Sequence, residues 1–242
     1  MTAPIKMNDF TPDSHGNNRR DFLRNGMLLG TIAGFAGLSL ITGCRGESGE
    51  GISPAEDLMR EHGVLDRILL IYDACRIHII NGEQFPEDAL QNSASLIKSF
   101  VEEYHEKLEE DFLFPRFVKA NHLTGLVQVL KDQHVAGRQI TGQIIESGRM
   151  SALTSPESRQ KLIKLIDDFI RMYRPHKSRE DTELFPELVK IIPGKEYFEL
   201  GESFEDKEHK LFGEEGFESV VKKVADIEKQ LGINELSGFT PV

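Results

Sequence analysis

His105-Glu-Lys-Leu-Glu109-Glu-Asp-Phe-Leu-Phe114-Pro115 and His176-Lys-Ser-Arg-Glu180-Asp-Thr-Glu-Leu-Phe185-Pro186 are two copies of one pattern. In both, a Glu follows the His by four residues, Leu-Phe-Pro follows by eight to ten, and a Val-Lys pair (Val118-Lys119, Val189-Lys190) closes the segment. A further His precedes each copy, His62 in Met-Arg-Glu-His and His134 in Lys-Asp-Gln-His. These two stand 72 residues apart, while His105 and His176 stand 71 apart, so the repeating unit is His, a long gap, then His-x-x-x-Glu. Self-similarity at a fixed period is the first guide to architecture; two units of this size suggest two helical hairpins, because an open solenoid needs about three or more.

On a helix, residues i and i+4 share a face, so each His-x-x-x-Glu presents an imidazole beside a carboxylate. Two such pairs turned toward each other, with one more His from each partner helix, make a mixed nitrogen and oxygen cage. Imidazole suits Zn, Cu, Fe or Ni, and carboxylates able to bridge suit a pair of ions. Carboxylate-bridged iron held by inward side chains of a helix bundle is one established solution. His62, His105, Glu109, His134, His176 and Glu180 therefore read as a dinuclear non-haem iron site, with zinc as the less suited metal.

Residues 1–43 read as an export signal. Asn18-Arg19-Arg20-Asp21-Phe22-Leu23-Arg24 precedes an apolar, glycine-punctuated run from Gly26 to Ile41 that is short for a membrane span. The arginine pair followed by Phe-Leu resembles a twin-arginine signal, which exports folded proteins. Leu40-Ile41-Thr42-Gly43-Cys44 is similar to a lipobox, after whose cleavage Cys44 is lipidated. The mature protein is then expected outside the cytoplasm, a periplasmic or otherwise extracytoplasmic lipoprotein held to a membrane by its lipid and not by a spanning helix. Cys75 is the only other cysteine, so no internal disulfide is expected. Loading the cage before export would avoid competition from Cu and Zn, which bind such donors more tightly than iron does.

The chain carries 29 Lys and Arg against 40 Asp and Glu, a formal charge of −11. The leader takes four of the basic residues (Lys6, Arg19, Arg20, Arg24) and three of the acidic ones (Asp9, Asp13, Asp21), leaving 25 against 37 and a charge of −12. So acidic a body argues against nucleic acid as a partner. No Gly-rich phosphate loop, nucleophile elbow or Cys-x-x-Cys occurs, and the His and Glu set is the main chemical signal.

Residues 44–53 form a tether, and Ser53-Pro54-Ala55-Glu56 then reads as an N-cap, a Pro at the first helical position and a capping-box Glu. The helix that follows carries Leu58, His62, Leu65, Leu69 and Tyr72 on one stripe and ends at Asn81-Gly82. Pro86 opens a second helix with Val101, His105, Leu108 and Phe112 on one face. A third covers about Leu123 to Ser147, and Ser155-Pro156-Glu157 starts a fourth with Phe169, Met172, His176 and Glu180 aligned. Pro115 disturbs the second helix, and Pro175 predicts a kink in the fourth. The expected fold is all-α: an up-down-up-down four-helix bundle over residues 54–193, with one additional helix and a tail over residues 194–242.

The ordered set His62, His105-x-x-x-Glu109, His134 and His176-x-x-x-Glu180, one group per helix, resembles the hemerythrin-like (HHE cation-binding) family from about Pro54 to Ile192. The resemblance implies a four-helix bundle and a non-haem di-iron centre with Glu109 and Glu180 as bridging carboxylates and the four His as terminal ligands. Members of the family bind dioxygen reversibly, sense oxygen or iron, or handle nitric oxide and iron-sulfur repair. Oxygen-carrying hemerythrins have two His four residues apart on the third helix; here Arg138 stands in the second place, which counts against oxygen carriage. His209, on the additional helix, and Glu106, beside His105, are the candidates to supply the missing ligand. His78 and His122 lie well round their helices from the cage, by about 160° and 120° at 100° per residue, and are excluded. Cys75 reads as a small buried hydrophobe.

The leading functional expectation is a lipid-anchored di-iron protein that binds or senses dioxygen or nitric oxide. The alternatives are a di-iron oxidoreductase, a peroxidase or nitric oxide reductase needing an electron donor that the sequence does not identify, and an iron storage or delivery protein.

Overall fold

The computed structural model describes residues 52–84 and 87–241. The twin-arginine-like leader, Cys44 and Pro86 lie outside the described residues. Six helices account for almost all of the remainder, and no strand occurs among the described residues. They are α1 (Pro54–Asn81), α2 (87–119), α3 (Thr124–Ser147), α4 (156–191), α5 (Gly194–Phe212) and α6 (Gly216–Leu231). None of them is long and apolar enough to cross a membrane.

Local chemistry sets the helix starts. The Ser53 hydroxyl accepts the Glu56 N–H at 3.3 Å while the Glu56 carboxylate accepts the Ser53 N–H at 3.1 Å, and Pro54 occupies the first turn, where no N–H is needed. Gly82 ends α1 in the left-handed region at φ 68°, a conformation that costs glycine least. Ser155 and Ser158 cap each other reciprocally at 3.2 Å to begin α4.

In α2 and α4 the ladder widens to π geometry at the same point of each repeat. Glu109–Leu113 and Glu180–Leu184 are π turns, in which the N–H of Phe114 reaches back to the Glu109 carbonyl and that of Phe185 to the Glu180 carbonyl. Each π turn leads into a Phe-Pro pair, and proline, with no N–H, has no α-type bond to lose there. Leu-Phe-Pro is thus the sequence mark of a widened turn that begins at the buried Glu. Short π insertions of this kind recur at functional sites. Pro175, by contrast, is exposed and α4 runs through it as regular helix to Arg179, so the irregularity expected at Pro175 comes instead at Glu180.

The first four helices form a ring, α1 against α2 and α4, and α3 against α2 and α4. Their connections are short, which makes neighbours antiparallel. Leu58, Leu65, Leu69 and Tyr72 of α1 are all buried as their spacing predicts, together with Phe100, Val101 and Leu108 of α2, Val127 and Leu130 of α3, and Ile166 and Phe169 of α4. Cys75 is buried as well, and desolvation pushes its thiol up to about 12, out of reach of ordinary thiolate chemistry.

Residues 194–242 form two helices where the sequence predicts one. The amphipathic pattern is broken at Gly213, which takes φ 83°, and the Glu208 carboxylate accepts the N–H of Phe217 at 2.9 Å to cap the new helix. The α5/α6 hairpin lies along α1 and α2, burying Phe204, Val220, Val224 and Ile227. Arg67 of α1 holds α6 through two hydrogen bonds to Glu228 at 2.5 and 2.8 Å.

The seam between α3 and α4 is tight at Gly137, where an added Cβ would collide with the Tyr173 hydroxyl and stand 2.9 Å from ring carbon Cε2. Gly137→Ala should therefore cost about 1–3 kcal/mol in urea denaturation, as overpacking of a buried contact does. Gly63→Ala, whose Cβ meets nothing within 4 Å, should leave stability unchanged or raise it by up to about 1 kcal/mol.

Candidate metal centre

The four helices bring six side chains to one point inside the bundle: His62 from α1, His105 and Glu109 from α2, His134 from α3, and His176 and Glu180 from α4. All are buried, with Glu109 and Glu180 at 0% exposure. Every imidazole turns its Nε2 inward. For one pair, His62 Nε2 lies 3.4 Å from Glu180 Oε2 and His105 Nε2 lies 3.7 Å from Glu109 Oε1. For the other, His134 Nε2 lies 3.3 Å from Glu109 Oε2 and His176 Nε2 lies 3.2 Å from Glu180 Oε1. Each carboxylate thus divides its oxygens between the two His pairs.

The outward nitrogens are all engaged. His62 Nδ1 lies 2.7 Å from Asp181, His105 Nδ1 2.7 Å from Glu61, His134 Nδ1 3.1 Å from Glu110 and His176 Nδ1 2.8 Å from Gln133. The repeat reaches this layer too. The residue before the first His of each unit accepts from that unit's second His, and the residue after each Glu accepts from the other unit's first His. An acceptor on Nδ1 puts the proton there and leaves Nε2 with a lone pair for a cation. Phe185 stacks on His62 and Phe114 on His134, both with centroids 5.5 Å apart, so the Phe of each Leu-Phe-Pro covers an imidazole of the opposite unit.

The innermost atoms are left without hydrogen bonds. Both oxygens of Glu109, both of Glu180 and Nε2 of His134 are buried and have no hydrogen-bond partner. Native proteins rarely leave such groups unsatisfied, and a metal ion is one explanation. Without metal, protons must substitute. Burial alone would lower His62 and His134, but the hydrogen bond of His62 to Asp181 with the Glu180 carboxylate close by, and the nearby Glu109 carboxylate with the hydrogen bond to Glu110 for His134, outweigh it and hold each up to about 10. Burial would raise Glu180, but the facing imidazoles of His176 and His62 hold it well below the usual carboxylate range. Ligand atoms of Glu109, His134, His176 and Glu180 lie within 4.8 Å of one another, as do those of His62, His105 and Glu109, so both halves could hold a cation.

Residues 53–193 match the family model of the hemerythrin HHE cation binding domain. This chain belongs to the hemerythrin HHE family. The match covers the four bundle helices and all six inward residues. The chain is also similar to uncharacterized proteins of Mycobacterium bovis and of two Mycobacterium tuberculosis strains, each 42% identical over 228 residues, spanning 88% of this chain and 89% of the relative. No solved structure matches it. The hemerythrin-like bundle, its cation-binding family and its buried His and Glu clusters together make this a metal-binding fold, of a kind that usually takes iron.

This hemerythrin-like domain fills the place of the missing third-helix His with a charge pair. Arg138 meets Glu106 at 2.7 Å and Glu110 at 2.6 Å, and Glu106 accepts the Tyr173 hydroxyl at 2.7 Å. Glu106 stays on the Nδ1 side of His134, 4.0 Å away, and does not enter the ring of Nε2 atoms. The corresponding place in the other unit holds the same pair with its charges exchanged, Asp66 with Lys177 at 2.8 Å. His209 is exposed on α5, while its neighbour Glu208 points inward, so this candidate for a fifth imidazole does not reach the cage. The helical phase at the end of α5 puts Glu208, not His209, on the buried stripe. His78 pairs with Glu83 at 2.9 Å and His122 with Glu187 at 3.0 Å, both apart from the cage as their angular offsets predict.

Glu61, Gln133, Glu110 and Asp181 lie outside the His-x-x-x-Glu pattern and are the functional residues it does not name. Each is the immediate neighbour of a motif residue, and each recurs at the repeat offset, the signal by which they could have been found.

A raised imidazole pKa stabilises the metal-free fold fully below the ordinary value of 6.5 and ceases to do so as the pH rises through about 10. Asp181→Ala removes one of the acceptors that raises His62. In metal-free protein its cost, about 1–3 kcal/mol at pH 6, should fade toward zero above pH 10, and the His62 ring titration followed by NMR should move down from its wild-type value.

Proposed function

We propose that this hemerythrin-like chain holds two iron ions side by side. One would sit among His62, His105, Glu109 Oε1 and Glu180 Oε2, and the other among His134, His176, Glu109 Oε2 and Glu180 Oε1. The division of each carboxylate's oxygens between the two His pairs carries this reading. One-metal sites have no use for two bridging carboxylates with all four oxygens buried and unbonded. Bound there, iron supplies reversible exchange of electrons with a small ligand, for which dioxygen and nitric oxide are the fitting class.

The chain's own residues do the rest. Glu61, Glu110, Gln133 and Asp181 hold the imidazoles in one tautomer and orientation, which typically contributes 10–100-fold to metal affinity. Phe114 and Phe185 limit water. Four side-chain atoms per ion fall short of a six-coordinate shell, so room for a small exogenous ligand is built in. Glu106, a buried carboxyl that burial pushes up and that accepts the Tyr173 hydroxyl beside His176, favours a second reading, an oxidoreductase in which Glu106 holds and gives a proton. Reversible binding without turnover supports the first reading; rapid turnover of peroxide or nitric oxide with an added electron donor supports the second.

The experiment is metal content and visible absorption of protein purified without oxygen and then exposed to air. Two irons per chain with an oxygen-dependent charge-transfer band support the proposal; zinc, or a single iron, sinks it. Glu109→Ala should lose the bridge and reduce iron to one per chain or fewer.

The leader supports a location outside the cytoplasm on a lipid anchor, through Arg19-Arg20 and Cys44, and the net charge of −11 argues against a nucleic acid partner. Cys44→Ala should then move the protein from the membrane fraction to the soluble one. An unchanged distribution would exclude lipidation at this residue.

A further inference from the structure

A second group of buried acids lies behind the cage. Asp57 and Glu61 of α1 and Glu208 of α5 are 4%, 1% and 1% exposed, and they offer ligand oxygens within 4.8 Å of one another. Tyr104, 1% exposed on α2, lies near enough that burial and then the charges of Glu61, Glu208 and Asp57 push its phenol up, and its hydroxyl donates to the Phe204 carbonyl at 3.5 Å. Glu61 spends Oε2 on His105, at 2.7 Å, yet its Oε1 is buried with no hydrogen-bond partner.

The internal repeat shows that this negative charge is not needed for orienting His105. In the other unit the same position is Gln133, a neutral amide that accepts from His176 at 2.8 Å. An amide would serve His105 equally, without the cost of burying a carboxylate, on the order of several kcal/mol per ion. Asp57 has no acidic counterpart either; 72 residues on stands Val129, which is 51% exposed. In the other half the acids Glu106 and Glu110 gather around Arg138, whereas behind His105 the α5/α6 hairpin itself brings the third acid.

We propose that Asp57, Glu61 and Glu208, with the Tyr104 hydroxyl beside them, form a third metal site that takes a hard divalent cation. Oxygen donors without nitrogen or sulfur suit Mg²⁺, Ca²⁺ or Mn²⁺. The site adjoins the cage through a single residue. Glu61 accepts from His105 on one oxygen, so a cation on this carboxylate draws charge away from that hydrogen bond and couples the state of the third site to the cage. The assignment of the acid cluster stands whether or not the cage holds iron; only the coupling rests on the di-iron reading.

Mn²⁺ is the probe, measured by equilibrium dialysis and electron paramagnetic resonance on the full chain, first loaded with iron. One Mn²⁺ per chain beyond the cage metals is expected. Glu208→Gln, which keeps an oxygen to accept the Phe217 N–H, should weaken that binding at least about 10-fold while leaving cage iron unchanged. Asp57→Asn should act in the same direction, with circular dichroism confirming that both variants fold. No Mn²⁺ beyond the cage in wild type, or equal Mn²⁺ binding in both variants and wild type, overturns the proposal. The doubly substituted Glu109→Ala, Glu180→Ala chain separates the two readings: it should lose the cage metals and still bind one Mn²⁺. Absence of Mn²⁺ from that folded chain would also overturn the third site.

Discussion

Two carboxylates buried to the last atom constrain everything else in this molecule. Glu109 and Glu180 present four oxygens inside a helix bundle, and none forms a hydrogen bond. An uncompensated buried charge costs several kcal/mol even after relaxation, so the fold must supply positive charge at this point, as protonated imidazole or as metal. The four Nε2 atoms at 3.2 to 3.7 Å are where that charge resides or is held. Each helix of the bundle exists, in this sense, to carry one donor group to the centre.

The cage is built twice from one plan, and its departures from symmetry are as informative as its agreements. The π turns that begin at Glu109 and Glu180, the stacked Phe rings and the Nδ1 acceptors follow the repeat, while the π stretch Ile97–His105 of α2 has no counterpart in α4. Where the units differ, charge differs: Arg138 with Glu106 faces Asp66 with Lys177 across the pseudo-twofold, and Glu61 faces Gln133. The α5/α6 hairpin covers one half only, which gives the two His pairs unequal surroundings and so different electrostatic environments for whatever each binds.

Much of this was legible along the chain. Helix positions followed from capping residues and apolar stripes, and the six inward donors from the repeat, because i and i+4 on a helix share a face whatever the tertiary context. The single C-terminal helix expected from the sequence is two, because the buried stripes of α5 (Leu200, Phe204) and α6 (Val220, Val224) stand 20 residues apart, about 200° round a continuous helix, and only the turn at Gly213, with Glu208 as the cap for the next helix, lets both pack on α1. His209 differs from its neighbour by one residue of phase: 100° on a helix separates the buried Glu208 from the exposed His209. Leu-Phe-Pro was visible as a repeat but not as a π turn, since its effect is to change which carbonyl an N–H finds.

Periodicity and repeat spacing alone determine that this is an all-α bundle with four His and two Glu in its interior. They cannot say which oxygen faces which imidazole, because that depends on how two helix pairs are rotated and staggered against each other. Packing across the bundle decided that Glu109 and Glu180 each divide between the two His pairs, that Arg138 neutralises Glu106 instead of yielding a ligand, and that Glu208 from a distant helix joins Asp57 and Glu61. Side chains far apart in the chain meet only when the apolar faces between them have closed.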